Sequence, residues 1–171
     1  MDVTIRAARE DEFEAVGELT AGAYLDDGLL TYGAEDSYLA VLRDVRRRAE
    51  HGEILVAVAA ASADVVGTAT FVWDAGEFAD IAQPGEGEFR MLAVRREGRG
   101  RGVGEALVRE CLARARERGL HRMVLSSSPE MTTAHRLYGR LGFTRTPERD
   151  WEPIPGLALL TFALDLTDGD R

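Results

Sequence analysis

Residues 94 to 104 read Val94-Arg95-Arg96-Glu97-Gly98-Arg99-Gly100-Arg101-Gly102-Val103-Gly104, and this stretch lies between an apolar strand pattern and an apolar helix pattern. Its glycines stand at alternate positions, where the missing Cβ atoms allow successive backbone N–H groups to converge on an anion. The helix that follows adds unpaired amides and the positive end of its dipole. The arginines between the glycines can supply charge-assisted hydrogen bonds, each typically worth about 1.5 to 3 kcal/mol. The stretch therefore predicts a phosphate-binding loop.

Two common phosphate-binding motifs do not fit this stretch. The dinucleotide pattern G-x-G-x-x-G would need a glycine at position 103 or 105, where Val103 and Glu105 stand. The P-loop pattern needs a lysine, and the sequence contains no lysine. An isolated run of glycine and arginine is also typical of a flexible, solvated turn. Its position between a strand and a helix favours the anion-binding interpretation.

The length and composition predict one compact domain over residues 1 to 171, because a chain of 171 residues with 45% hydrophobic residues can bury a sizeable core. The single cysteine, Cys111, has no partner for an internal disulfide, and three scattered histidines do not suggest a metal site. The N-terminal residues lack a basic and apolar leader, and no apolar run approaches the roughly 18 residues of a membrane span. We therefore expect a cytoplasmic protein that does not associate with membranes.

The net charge of −9 argues against general nucleic-acid binding, which draws on many basic contacts to phosphates. The charges are unevenly distributed, with 19 acidic and 7 basic residues in positions 1 to 90 and 11 acidic and 14 basic residues in positions 91 to 171. A basic second half suits an anionic ligand, and an acidic first half suits a cationic one. Acidic surface residues also serve solubility alone, so this pattern is secondary to the glycine loop.

The hydrophobic periodicity predicts the element order β-α-α-β-β-β-α-β-α-β-β. Polar and glycine-containing segments separate these elements, and no internal repeat interrupts them. The predicted helices cover residues 11 to 23, 37 to 50, 104 to 118 and 132 to 141. The predicted strands cover residues 3 to 7, 54 to 60, 65 to 73, 86 to 94, 122 to 127, 143 to 149 and 157 to 166.

Two motifs on these elements resemble signatures of the GCN5-related N-acetyltransferase (GNAT) superfamily. The pattern R/Q-x-x-G-x-G/A is matched by Arg99, Gly102 and Gly104 at the exit of the fourth strand. About 35 residues later, Tyr138 precedes the turn Leu141-Gly142-Phe143. The resemblance covers nearly the whole chain. It implies an α/β fold of the α+β type, in which four helices flank a central mixed, mostly antiparallel sheet of about seven strands.

The resemblance also implies acetyl-CoA as co-substrate, with no metal. The glycine loop would bind the diphosphate of acetyl-CoA, while the pantetheine arm would lie along the fourth strand. In this superfamily a bulge parts that strand from the fifth, which leaves backbone N–H groups free to pair with the cofactor and to polarise the thioester carbonyl. The sequence itself does not reveal a bulge. The implied cofactor-binding residues are Leu92, Ala93, Val94, Arg99, Gly100, Arg101, Gly102, Val103 and Gly104.

For catalysis, the resemblance implies that Tyr138 donates a proton to the departing thiolate. Glu88 lies on the fourth strand six residues before Val94, where several family members that acetylate lysine carry a catalytic glutamate. Strand parity would place Glu88 on the same face as Arg90 and Leu92. Three alternatives stay open: Tyr138 packs a helix on the sheet, Glu88 is a solvated carboxylate at a strand end, or a water chain accepts the amine proton.

The expected reaction is acetyl transfer to a primary amine of a small molecule, a peptide or a protein. The alternative is a regulatory module that binds acyl-CoA without chemistry. The residues do not identify the acceptor, and they do not require the pairing of two protomers that is common in the superfamily. A serine hydrolase triad is not expected, because Ser126, Ser127 and Ser128 lack a G-x-S-x-G setting and an evident histidine partner.

Overall fold

The computed structural model describes residues 1 to 167 and divides into two compact units. The first unit contains Met1–Phe71 and Arg90–Cys111, and the second contains Val72–Phe89 and the chain from Leu112 onward. Because the prediction of a single domain extends to residue 171, its last four residues lie outside the described part. The α-helices are α1 (Phe13–Asp26), α2 (Tyr38–Arg43), α3 (Val45–Ala49), α4 (Val103–Glu117) and α5 (Thr132–Arg140). The strands are β1 (Val3–Ala7), β2 (Glu53–Ala59), β3 (Val65–Trp73), β4 (Glu86–Val94), β5 (Arg122–Ser127), β6 (Thr144–Arg145), β7 (Trp151–Ile154) and β8 (Leu157–Asp165).

The strands form one sheet in the order β1-β2-β3-β4-β5-β8-β6, with β7 paired to β8. In the first unit β2 pairs antiparallel with both β1 and β3. In the second unit β4 and β5 run parallel, and their register covers only the three residue pairs from Glu86–Arg122 to Glu88–Val124. Strand β8 then pairs antiparallel with β5 and β6. This mixed, mostly antiparallel sheet confirms the fold class expected from the sequence.

The structure differs from the sequence expectation in two details of this fold. The expected helix over residues 37 to 50 is divided at Asp44, whose ψ of 68° leaves the helical region and whose side chain accepts a hydrogen bond from the amide of Arg47. A side-chain oxygen in that position caps a new helix start, so five α-helices replace four. The strand expected over residues 143 to 149 is shortened to β6 by a 3₁₀ turn at Pro147, and β7 follows as an eighth strand.

Two hydrophobic clusters hold the helices of the first unit against its strands. Val16 of α1 and Val45 of α3 pack on Ile54 and Val56 of β2. The second cluster joins the middle of α1 and the face of α2 to Met91 of β4, and its members are Ala21, Leu39, Leu42 and Met91. Burial of one such valine, leucine or methionine side chain is worth about 1.5 to 3 kcal/mol. These clusters fix β4 relative to α1 and α2.

One arginine is buried in this unit and explains how α2 ends. Arg48 is only 1% exposed, and its guanidinium donates to the carbonyls of Val41 and Leu42 and to the hydroxyl of Thr70. The last carbonyls of a helix carry partial negative charge and have no partner within the helix. Arg48 therefore caps α2, and the helix end serves as its counter-charge.

The entry of α1 is stabilised by an ion pair that titrates in acid. Arg6 donates to both carboxylate oxygens of Glu12 at 2.8 and 2.9 Å, and these bonds hold the pKa of Glu12 at about 2. Because this pKa lies below its usual value, the stabilisation is complete above about pH 4.5 and is lost as the pH falls toward 2.

We expect Glu12→Gln to lower the free energy of unfolding by about 1 to 3 kcal/mol at pH 7. Denaturant unfolding at pH 7 and pH 3 measures the difference, which should shrink at pH 3. The exposed Glu14, in the first turn of α1, provides the control, Glu14→Gln.

Candidate functional site

The glycine loop leads from β4 into α4 and presents a row of unused backbone donors. In the described part of the chain, the N–H groups of residues 100 to 104 donate no hydrogen bond to any protein acceptor. At this helix start the amide of Ala106 donates to the carbonyl of Gly102. Five consecutive free amides at the start of a 15-residue helix form a strong anion-binding arrangement.

Different physical constraints require glycine at different positions of this loop. Gly100 and Gly102 have φ values of +72° and +82°, in the left-handed region that side chains rarely adopt, and a Cβ added at either would meet no atom within 4 Å. Their backbone conformation, not crowding, requires glycine. Gly98 is buried, and a Cβ there would lie 3.3 Å from a methyl group of Val94. Gly98 therefore allows close packing beneath the loop, whereas Gly100 and Gly102 shape it.

The arginines of the loop are engaged to different extents. Arg99 donates to Asp27 with both terminal nitrogens, at 2.8 and 3.2 Å, and to the carbonyl of Val94. Arg95 donates to the carbonyl of Val65. By contrast, the exposed guanidinium of Arg101 makes no hydrogen bond or ion pair to residues 1 to 167. Because Arg99 is paired with Asp27, a contact that the sequence does not reveal, Arg101 is the more available charge for an anion.

Strand β4 contains the bulge that the sequence could not reveal. Two hydrogen bonds mark the β3–β4 ladder, from the amide of Asp74 to the carbonyl of Glu86 and from the amide of Arg95 to the carbonyl of Val66. They are eight residues apart on β3 and nine apart on β4, so β4 carries one extra residue. Met91 has a φ of +54°, which identifies it as the irregular residue. An extra residue with an unusual backbone conformation defines a β-bulge.

The bulge interrupts the strand alternation used in the sequence analysis. Arg90 donates to the hydroxyl of Tyr38 on α2, and the next residue, Met91, packs on Leu39 and Leu42 of the same helix. In a regular strand two consecutive side chains point to opposite faces, yet here both reach α2. The expectation that Leu92 shares a face with Arg90 therefore loses its basis.

Glu88 lies in the second unit and is completely buried. Its Oε1 accepts three hydrogen bonds of 3.0 Å, from the backbone amides of Asp80, Ile81 and Ala82. The burial rules out the alternative that Glu88 is a solvated carboxylate at a strand end. The carboxylate anchors the loop between β3 and β4.

Tyr138 of α5 is 4% exposed and lies within an aromatic cluster of the second unit. Its ring centroid is 5.8 Å from those of Phe89, Phe143 and Phe162. These contacts agree with the alternative that Tyr138 packs a helix on the sheet. The packing fixes the orientation of the ring. A proton donor needs such a fixed position, so packing and catalysis are compatible roles.

The same unit contains a serine–histidine pair that the sequence analysis did not expect. The Nε2 atom of His135 lies 3.0 Å from the Oγ atom of Ser127. Ser127 ends β5 and His135 lies in the first turn of α5, so the contact arises from packing across the connection between them. The spacing of His135 three residues before Tyr138, which places both on one helix face, is the only sequence signal that could have drawn attention to it.

The described residues contain neither a candidate membrane span nor a candidate metal site. From residue 1 to residue 167, no helix has the length and apolar character of a membrane span. Over the same range, no three histidine, cysteine, aspartate or glutamate side chains are grouped as metal ligands.

Residues 8 to 143 match the family model described as "Acetyltransferase (GNAT) family". The chain belongs to this family. A mycothiol acetyltransferase from Arthrobacter sp. (strain FB24) is 40% identical over 62 residues, which cover 36% of this chain and only 19% of that protein. The matched part is therefore about a fifth of the length of this curated relative.

Solved structures of GNAT proteins share the fold over nearly the whole chain. An acetyltransferase of the GNAT family from Staphylococcus aureus Mu50 has a TM-score of 0.75 at 14% identity and covers 96% of this chain and 99% of its own. A GNAT superfamily phosphinothricin acetyltransferase from Sinorhizobium meliloti, solved in complex with acetyl-CoA, has a TM-score of 0.72 at 21% identity. It covers 97% of this chain and 89% of its own. At these identities the likeness concerns the fold.

Proposed function

We propose that this protein is an acetyl-CoA-dependent N-acetyltransferase whose acceptor is a primary amine of a small molecule, a peptide or a protein. The observation that carries the proposal is the row of free amides at residues 100 to 104. Gly100 and Gly102, with their positive φ values, shape the backbone of this row. A diphosphate carries enough charge and enough acceptor oxygens to bind several of these donors at once.

Two of the functions that the transfer requires would come from the first unit. Residues 99 to 104 would hold the diphosphate, with Arg101 as the available side-chain charge. Backbone amides of Leu92, Ala93 and Val94, which follow the bulge, would align the acyl arm and polarise the thioester carbonyl. The bulge at Met91 supports this role, since irregular strands commonly redirect backbone groups beside active sites.

Tyr138 would provide the proton that the departing thiolate requires. The reference pKa values of tyrosine and a thiol are about 10 and about 8.5, so this transfer is uphill by only about 2 kcal/mol. The aromatic rings around Tyr138 hold its phenol in one orientation. A fixed donor reduces the orientational cost of proton transfer.

The assignment of Glu88 as general base stays a prediction, and its contacts support a different role as anchor of the β3–β4 connection. Glu88→Gln keeps an oxygen for the three amides but removes the basic carboxylate. If anchoring is the role, we expect kcat to stay within about threefold and the acid limb of its pH profile to be unchanged, whereas loss of a general base typically costs about 100-fold or more. The pH dependence of kcat measures this. A loss of the acid limb together with such a fall in rate would assign the proton transfer to Glu88.

The proposed function is tested by cofactor binding and by an acceptor screen on the same protein. Calorimetry with acetyl-CoA should show saturable binding. Release of coenzyme A, followed by chromatography, should depend on an amine from a panel of amino acids, their amides, 1,4-diaminobutane and a short peptide with a free N-terminus. An amine that carries a thiol belongs in the panel because a relative is named mycothiol acetyltransferase. Binding without turnover on any amine would favour the non-catalytic acyl-CoA module, and absence of binding would refute both.

A further inference from the structure

The serine–histidine pair of the second unit has the geometry of a proton-transfer pair. The 3.0 Å separation between Ser127 Oγ and His135 Nε2 is a normal hydrogen-bond distance. Ser127 is only 6% exposed, so bulk water does not compete freely for its hydroxyl. The ring of His135 is further fixed by Phe162 of β8, whose centroid is 5.1 Å away.

The surroundings of His135 favour a neutral imidazole. Burial lowers its pKa from the usual value, and the positive charge of Arg145 on β6 acts in the same direction. A hydrogen bond between the ring and the backbone of Ser128 acts in the opposite direction, as expected where a ring nitrogen donates to a carbonyl. With Nε2 directed to Ser127, we assign Nδ1 as this donor. Nε2 then carries the lone pair and can accept a proton. Arg145 itself is bonded to Asp150, which tempers its effect on the ring.

His135 also lies on the same face of α5 as the proposed proton donor, Tyr138. It precedes Tyr138 by three residues on α5, and positions three apart lie on the same face of a helix. Both rings contact Phe162, with centroid separations of 5.1 Å for His135 and 5.8 Å for Tyr138. His135 and Tyr138 therefore share the face of α5 that contacts Phe162.

We propose that Ser127 and His135 form a proton relay that deprotonates the acceptor amine. The ammonium nitrogen gives one proton to Ser127 Oγ while the serine proton passes to His135 Nε2. The freed lone pair then forms the C–N bond as the C–S bond breaks, and Tyr138 protonates the sulfur. The product nitrogen returns a proton to the Tyr138 oxygen, and His135 releases the first proton to solvent. This inference rests on the proposed function and supplies the general base for it.

Four variants separate a relay from a structural hydrogen bond. His135→Gln retains an acceptor near the Nε2 position but cannot take up the proton, and Ser127→Ala interrupts the relay without touching the imidazole. Ser127→Thr restores a hydroxyl. The exposed His121, on the turn before β5, provides the matched control, His121→Gln. For each variant, kcat is measured from pH 5.5 to 9.5 with the fastest amine of the panel above, and acetyl-CoA affinity is measured by calorimetry.

In wild type and His121→Gln we expect kcat to reach a plateau near neutral pH. In His135→Gln and Ser127→Ala we expect kcat at pH 7 to fall by about 30-fold or more, within the usual contribution of a general base, and to keep rising up to pH 9.5. Ser127→Thr should recover wild-type kcat within about threefold, and acetyl-CoA affinity should stay within about twofold throughout.

Two results would overturn the relay while leaving the proposed function intact. The first is a plateau of kcat near neutral pH in His135→Gln, as in wild type, and the second is the same plateau in Ser127→Ala. A structural role alone would lower the melting temperature without changing the shape of the pH profile. If wild-type protein binds acetyl-CoA but acetylates no amine of the panel, the proposed function fails and the relay with it. If circular dichroism shows that His135→Gln is unfolded, the relay is tested by comparing the pH profiles of kcat for Ser127→Ala and Ser127→Thr.

Discussion

Gly102→Ala weakens the binding of coenzyme A by about 100-fold, an effect that we expect because each lost phosphate contact costs about 1.5 to 3 kcal/mol. Gly102 has a φ of +82°. The left-handed conformation costs an L-residue about 1 to 2 kcal/mol of conformational free energy. The backbone of alanine at this position would therefore rotate toward negative φ. That rotation turns the amides at the start of α4 away from their common focus. Calorimetric titration with coenzyme A measures the change in Kd.

Two control variants separate the loss of the binding geometry from the cost of an added methyl group. Gly156, in the turn between β7 and β8, has a φ of +85° and equally open surroundings, so Gly156→Ala carries the same backbone strain without altering the loop. Gly22 lies inside α1 with open space around it, and Gly22→Ala should raise stability by about 0.5 to 1 kcal/mol. Both should bind coenzyme A as wild type does. Wild-type affinity in Gly102→Ala would show that the loop does not hold the diphosphate.

The glycine loop and its row of free amides could be predicted because their determinants are local. Glycines without Cβ atoms, arginines between them and a following helix are all readable from consecutive residues. The sequence could not show which arginine is occupied, because Arg99 is paired with Asp27, a residue 72 positions away. The glycines of the loop also look alike in the sequence, whereas in the structure Gly98 has a different role because it packs beneath the loop.

The features that the sequence missed depend on contacts between distant elements. Nothing in the letters around Met91 demands a positive φ, and the bulge becomes visible only from the count of residues between two ladder hydrogen bonds. The buried state of Glu88 follows from the fold of the preceding connection over its carboxylate. The pairing of Ser127 with His135 likewise requires that α5 packs on the end of β5. Periodicity describes single elements, and these three sites arise where elements meet.

Tyr138→Phe lowers kcat by about 100-fold to 10,000-fold and leaves acetyl-CoA affinity within about twofold, which is the range expected for loss of a positioned proton donor. The substitution removes one oxygen and keeps the ring. Because the ring makes the contacts with Phe89, Phe143 and Phe162, the aromatic cluster should remain packed. The expected loss is therefore in the chemical step, measured as the steady-state release of coenzyme A together with calorimetric binding of acetyl-CoA.

The pH profile distinguishes proton donation from a subtle loss of packing. A tyrosine that donates must be protonated, so the kcat of the wild type should fall along an alkaline limb at high pH. In Tyr138→Phe this alkaline limb should disappear, because no ionisable group remains at the position. Tyr32, which is 70% exposed, gives the matched control, and Tyr32→Phe should retain both the rate and the limb. Loss of a hydroxyl from the cluster could lower stability, but packing alone cannot remove an ionisation from the rate profile. A Tyr138→Phe variant with wild-type kcat would therefore assign Tyr138 to the core alone and require another proton source for the thiolate.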